Sequence, residues 1–329
     1  MANSEPTPIP VLAYTDGLVD KLRDMLPKAI KEWDSTAIHQ ARVATRRLKA
    51  ATDVFKPIST KSHRRELVKI LRKLRRHLGP SRDLDVMLGH LNDMKSRRFQ
   101  AGLDWLTDQL AHQQQSLRES ESEKFDLSES MARLGAWWGL RQDWAEAAEG
   151  LDCLISESLH LQLDRFIEQA TVVAGKVADT HVDPHQLRIE GKALRYTLEM
   201  AVAAGHRLPA AVGRSFKRMQ DALGLWHDYV VLTDCILDLS VKSMLGHRDP
   251  MLQAAVLDIA RAMVARSHVQ LLKFNKLWEE KGEMLATTIR QSFPLTSAVI
   301  ELKTDPDPPA TETSADSPPP IAPNETSAA

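Results

Sequence analysis

HQARVATRRLKAA, at residues 39–51, governs the reading of the whole chain because it occurs twice. The second copy is HQLRIEGKALRYT at 185–197, an offset of 146. A further pair follows in the same order: LRKLRRHLGPSRDLDVML at 71–88 and FKRMQDALGLWHDYVVLT at 216–233, an offset of 145. Within it Leu78-Gly79 matches Leu223-Gly224, Asp83 matches Asp228, and Val86 matches Val231. Two segments recurring in one order at nearly one distance mark an internal duplication.

On a helix turning about 100° per residue, His39, Arg42, Arg46 and Lys49 share an arc of about 80°. Ala44, Leu48, Ala51 and Phe55 lie roughly opposite. The second copy repeats the arrangement, with His185, Arg188, Lys192 and Arg195 set against Leu187, Leu194 and Leu198. The next helix of the first copy carries Arg65, Lys69, Arg72 and Arg76 on one face, with Lys73 beside them. Leu67, Ile70, Leu71, Leu74 and Leu78 form its other face. The counterpart in the second copy is thinner: Arg214, Lys217 and Arg218, with Asp221 where Arg76 would fall. Like charges at i,i+4 repel, so same-sign rows of this length are destabilising unless an anion relieves them. The rows point to a polyanionic ligand, with the first half the more electropositive, and Arg42 and Arg46 are expected to be exposed. A neutral imidazole donates one hydrogen bond to a phosphate oxygen, and an imidazolium adds charge.

The remainder of the 329 residues frames this pattern. The chain is 43% hydrophobic and 26% charged, as in soluble globular proteins, and only 14 glycines and three tyrosines occur. Apolar residues recur at three and four from Val11 to Phe293, which predicts an all-α fold. Helices are expected near 11–33, 36–55, 60–78, 82–96, 99–124, 130–149, 152–178, 184–205, 208–223, 227–245 and 249–282. Breaks are expected at Pro57, Gly79-Pro80, Asp183-Pro184 and Asp249-Pro250, and Ser35 and Asp183 are the expected N-caps of the two His-led helices. The organisation read from this is a helical half at 1–125, a connecting helix at 126–149, a second half at 150–293 and a tail at 294–329. The tail is Pro-rich and acidic, too poor in apolar side chains to fold, and is read as disordered. It offers a means of recruiting a protein partner. The net charge of −1 hides a strong asymmetry: residues 39–98 hold 17 Lys or Arg against five Asp or Glu, and residues 119–168 hold four against 12. Docking of that acidic middle on the basic rows is the structural alternative to a ligand. The lone Cys153 and Cys235 form neither a zinc spacing nor a disulfide framework. No signal-peptide pattern and no membrane-length apolar run is present, so the expected location is cytoplasmic.

The two H-x-x-R-[VI] helices, each followed by L-G-x-x-[RH]-D-x-x-V, resemble the CHAD family, the conserved histidine α-helical domain. The resemblance covers roughly 10–282 and is carried by both motifs in both halves. It implies two pseudo-symmetric antiparallel bundles of the four-helix type around a basic central cavity. It also implies binding of inorganic polyphosphate, often at polyphosphate granules. The residues it carries over are His39, Arg42, Arg46 and Lys49, then His185, Arg188, Lys192 and Arg195. The cations of the second helices join the candidate set on charge rather than on motif. Two departures weaken the second half: Ala193 stands where the first has Arg47, and Asp221 interrupts its second row.

Catalysis is the first rival. CHAD domains often accompany a triphosphate-tunnel enzyme, marked by E-x-E-x-K at the start of a β-barrel. ESESEK at 119–124 misses it, since Glu123 stands where Lys is required and the surroundings read as helix. No P-loop, H-E-x-x-H or nucleophile elbow occurs, so a non-enzymatic protein without metal or cofactor is expected. Nucleic acid is the second rival, disfavoured because the basic rows lack interleaved aromatics for base stacking. A protein-assembly scaffold using the same surface is the third.

Overall fold

The computed structural model describes residues 9–94, 99–122, 125–175 and 184–295. Helix α1 (Pro10–Pro27) runs into a π turn, Lys28–Glu32, which Trp33 closes in the left-handed region at φ 52°. Trp33 is buried beside His77, and burial holds this bulky side chain in a conformation it seldom adopts. Helix α2 (Ser35–Val54) is capped by Asp34, whose Oδ1 accepts from the Ala37 N–H at 2.6 Å. Ser35, the expected cap, is instead the first helical residue, because the carboxylate one position earlier already reaches the free amide. Asp183, the other expected cap, and the tail from 296 onward lie outside the described residues.

Helix α3 (Lys61–Asn92) runs unbroken through Gly79-Pro80, contrary to the expected break. Helix α4 (Gln100–Ser122) follows. The single helix expected at 130–149 is two, α5 (Leu127–Arg133) and α6 (Trp137–Glu146), joined by a tight turn containing Gly135. Next come α7 (Leu151–Val173), α8 (Pro184–Ala203) and α9 (Ala210–Lys242). Helix α9 also continues through 223–227, where a break was expected. After the short α10 (Leu245–Arg248), Asp249 caps α11 (Pro250–Ser292) by accepting from the Leu252 N–H at 2.9 Å. The helices that carry the repeated motifs match in length: α2 and α8 have 20 residues each, and α3 and α9 have 32 and 33.

Apolar side chains gather in two cores. The first contains Leu22 and Leu26 of α1, Ile38 and Leu48 of α2, Leu67 and Leu74 of α3, and Trp137 and Trp144 of α6. Phe166 of α7, Leu194 of α8, Phe216 of α9 and Phe274 of α11 complete it, so both repeats contribute. The second core holds Met87 and Leu91 of α3, Leu103 and Leu106 of α4, Leu232 and Ile236 of α9, and Val256 and Ile259 of α11. Helices α3, α9 and α11 thus thread both cores. This explains α3. A proline inside a helix costs about 3 kcal/mol, but each fully buried Leu or Met contributes about 1.5–3 kcal/mol. Anchoring of both arms of α3 outweighs the local penalty, and Pro80 itself is exposed. Among the described residues the fold is all-α, with no strand, and no helix is long and apolar enough to cross a membrane.

The second core depends on a close crossing of α4 and α11. A Cβ at Gly102 would lie 2.9 Å from Ile259 Cδ1 and 3.2 Å from the Ala255 backbone carbon. Backbone cannot yield as a side-chain end can, so Gly102→Leu should destabilise the protein by about 1–3 kcal/mol. A thermal melt checks this, and an unchanged midpoint would show that the two helices do not pack closely here.

Candidate anion-binding site

Helix α2 buries Ala37, Ile38, Ala41, Ala44, Leu48 and Ala51. That burial fixes the opposite face, on which His39 is exposed and Arg46 and Lys49 are half-buried. Arg42 departs from expectation, for only 13% of its side chain is exposed. Its Nη1 donates to the Arg75 carbonyl at 3.1 Å, and its Nη2 lies 3.8 Å from Asp83 Oδ1. The guanidinium also sits 3.0 Å from where a Cβ at Gly79 would stand, so the missing side chain makes room for it. Arg42 therefore pins α2 to α3 as well as adding charge. Lys49 pairs with Asp53 one turn on.

Two cations outside the expected set join this row. The His39 imidazole is held below its ordinary value, first by partial desolvation against the surrounding protein and then by Arg82, Arg46, Arg42 and Lys21. Lys21 comes from α1 and Arg82 from α3, so three helices bring five basic side chains together. Lys21, His39, Gln40 and Arg47 also line a small pocket floored by Leu18, Val43 and Ala44. The sequence held a signal for Arg82, which occupies the [RH] position of the second motif and aligns with His227. Lys21 lies outside the repeat and left none.

The second copy builds the matching arrangement. The rings of His185 and His227 lie 5.2 Å apart, centroid to centroid. His227 is pushed down to about 3, mainly by burial, then by Arg188, His185 and Lys192, with Asp228 opposing. His39 with Arg82 in one repeat thus corresponds to His185 with His227 in the other. Asp83 links the two: the protein packed around it raises its carboxyl although much of the side chain stays open to solvent, Arg42, Arg46 and Arg188 lower it, and Asp228 raises it. One carboxylate therefore feels arginines of both repeats. Arg195 is tied at 2.9 Å to Glu199, which also holds Arg47 at 2.8 Å across α2 and α8.

On α3, Arg65, Lys69, Arg72 and Arg76 are exposed, and none forms an ion pair among the described residues. Lys73 is different. It pairs with Glu129 at 2.8 Å and lies over the Phe125 ring, while His77 meets Glu121 at 3.1 Å. The acidic middle segment does dock on α3, but on its flank, and leaves the main row open. On α9, Arg214 and Arg218 are exposed, and Lys217 pairs with Asp221 at 2.7 Å, which thins that row as its sequence implied. Among the described residues no group of three or more His, Cys, Asp or Glu is placed to hold a metal ion. Cys153 and Cys235 are free thiols.

A duplicated pair of long helices, each copy opening on a histidine and a row of cations, defines a distinct class of all-α protein. The sequence profile of the CHAD domain matches residues 13–237, and the chain belongs to that family. Its fold is similar to the crystal structure of the CHAD domain from the plant Ricinus communis, with a TM-score of 0.53 and 20% sequence identity. That likeness covers 88% of this chain and 92% of the plant domain. No curated protein matches the sequence.

His227 yields a prediction about acid stability. Its ordinary value is 6.5, and the folded protein lowers it to about 3. Between these values the unfolded chain takes up a proton that the folded chain refuses, so stability should fall as pH drops below about 6.5. His227→Gln should flatten this fall. Melting temperatures from pH 7 to 5 check it, and parallel losses in both proteins would show that the imidazole protonates freely when folded.

Proposed function

We propose that this protein binds inorganic polyphosphate on its two cation clusters and the α3 row, at polyphosphate granules, and performs no chemistry on it. The observation that carries this reading is the convergence of the duplicated clusters, in which cations gather around His39 and His227. Such a surface gathers more cations than carboxylates, and a chain of phosphates supplies further counter-charge. Arginine forks suit phosphate oxygens bidentately, and lysines act as point charges. Binding releases counterions, so affinity should fall steeply with salt, by analogy with nucleic acids. A bound polyanion favours imidazolium, so His39 and His227 should take up protons on binding.

Two further features support a binding role over a catalytic one. Glu119 and Glu121 of the near-miss tunnel motif lie on helix α4, and Glu121 is engaged with His77. Along the basic rows of α2 and α3 no tryptophan or tyrosine is interleaved to stack nucleobases, which favours bare phosphate over nucleic acid.

Titration with long-chain polyphosphate, tripolyphosphate, single-stranded DNA and RNA at two salt concentrations tests the reading. Polyphosphate should bind most tightly, with affinity rising with chain length and falling with salt. Equal or tighter binding of DNA would overturn the preference. Arg46 and Arg82 are the residues to reverse, because Arg42 also holds two helices together. Arg46→Glu with Arg82→Glu should weaken long-chain binding by about a hundredfold while circular dichroism stays unchanged. Unaltered affinity would place the site elsewhere.

A further inference from the structure

A pair of repeat-related carboxylates, Asp83 and Asp228, sits where the two clusters approach each other. Asp83 Oδ1 lies 3.8 Å from Arg42, and Asp228 Oδ2 lies 3.8 Å from His90 Nε2. Arg76, Asp83 and His90 follow one another at intervals of seven, which keeps them on one face of α3. That face therefore passes from cation to carboxylate to imidazole, and there it meets Asp228 of α9. Asp83 remains 60% exposed and Asp228 32%, so both carboxylates can act on a ligand crossing this point. Asp83 is within electrostatic reach of Arg42 and Arg46 on one side and of Arg188 and Asp228 on the other.

We propose that Asp83 and Asp228 divide the cationic surface into two subsites, so that short polyphosphates occupy each cluster separately and only longer chains bridge them. The proposal rests on the polyphosphate reading above. A fixed charge acts strongly only within about 8 Å at physiological salt. A tripolyphosphate seated among Lys21, His39, Arg46 and Arg82 meets only one of the two carboxylates, Asp83. A chain joining that cluster to His185, Arg188 and Lys192 must pass them and meets their repulsion. The aspartates thereby limit how much affinity a long chain gains from bridging.

Calorimetry on the full chain with tripolyphosphate and with long-chain polyphosphate tests this. The wild type should bind at least two tripolyphosphates per chain. Asp83→Asn with Asp228→Asn should raise long-chain affinity by about tenfold and tripolyphosphate affinity by less than about threefold. Each single substitution should give part of the shift, so the test survives if the double variant folds poorly. Asp108→Asn with Glu283→Gln changes the net charge equally at exposed positions outside the site, and should shift both ligands little. One tripolyphosphate per chain, equal gains for both ligands, or the same selective gain in the control pair overturns the division. If the wild type binds long chains and the gains are equal, the division alone fails. If the wild type binds no polyphosphate, the function proposed above fails with it.

Discussion

The hydrogen bond from Arg42 to the Arg75 carbonyl is the constraint on which the cationic surface depends. It locks α2 over the middle of α3, at the point where Gly79 leaves room for a guanidinium. From that crossing, His39 and Arg46 project from one helix and Arg82 from the other into common space. Such an assembly opposes itself electrostatically. Two unit charges about 8 Å apart repel by roughly 2 kcal/mol at an effective dielectric near 20. A hydrogen bond from a charged donor contributes about 1.5–3 kcal/mol, which offsets one such repulsion and not several. The rest comes from the first core, where each buried Leu or Phe adds about 1.5–3 kcal/mol. The core supplies the free energy, and Arg42 sets the register.

Much of this was legible in the sequence, and the reasons for the failures are physical. The duplication and the opposed apolar and basic faces follow from spacing alone, because a helix fixes which side chains share a face. A wheel does not say which neighbour will cross that face. Arg42 therefore read as exposed, although α3 covers it. Lys21 was missed because its helix belongs to neither repeat, and only tertiary packing brings it to His39. Arg82 was written into the second motif but not into a cation row. Gly79-Pro80 reads as a break because local propensity holds no trace of the two cores that anchor the arms of α3.

The acidic middle segment reconciles two readings that seemed exclusive. It does neutralise a cation, pairing Lys73 with Glu129, and it engages the His77 ring through Glu121. It takes them from the flank of α3, so the face carrying Arg65, Lys69, Arg72 and Arg76 keeps its charge. The same economy of position appears at Glu199, which ties Arg47 to Arg195 and so fastens α2 of one repeat to α8 of the other. Acidic residues here select which cations remain available as well as balancing the total.

The threading of α3, α9 and α11 through both cores has a consequence for how such a duplication is inherited. Once each ancestral unit contributed side chains to a shared interior, neither could be lost, shuffled or exchanged alone. A cut between the repeats would strip Leu194 and Phe216 from the company of Ile38 and Leu48 and leave two incomplete interiors. The two copies are free to diverge in surface charge, as Arg76 and Asp221 have done, but they are bound to a single fate as a folding unit.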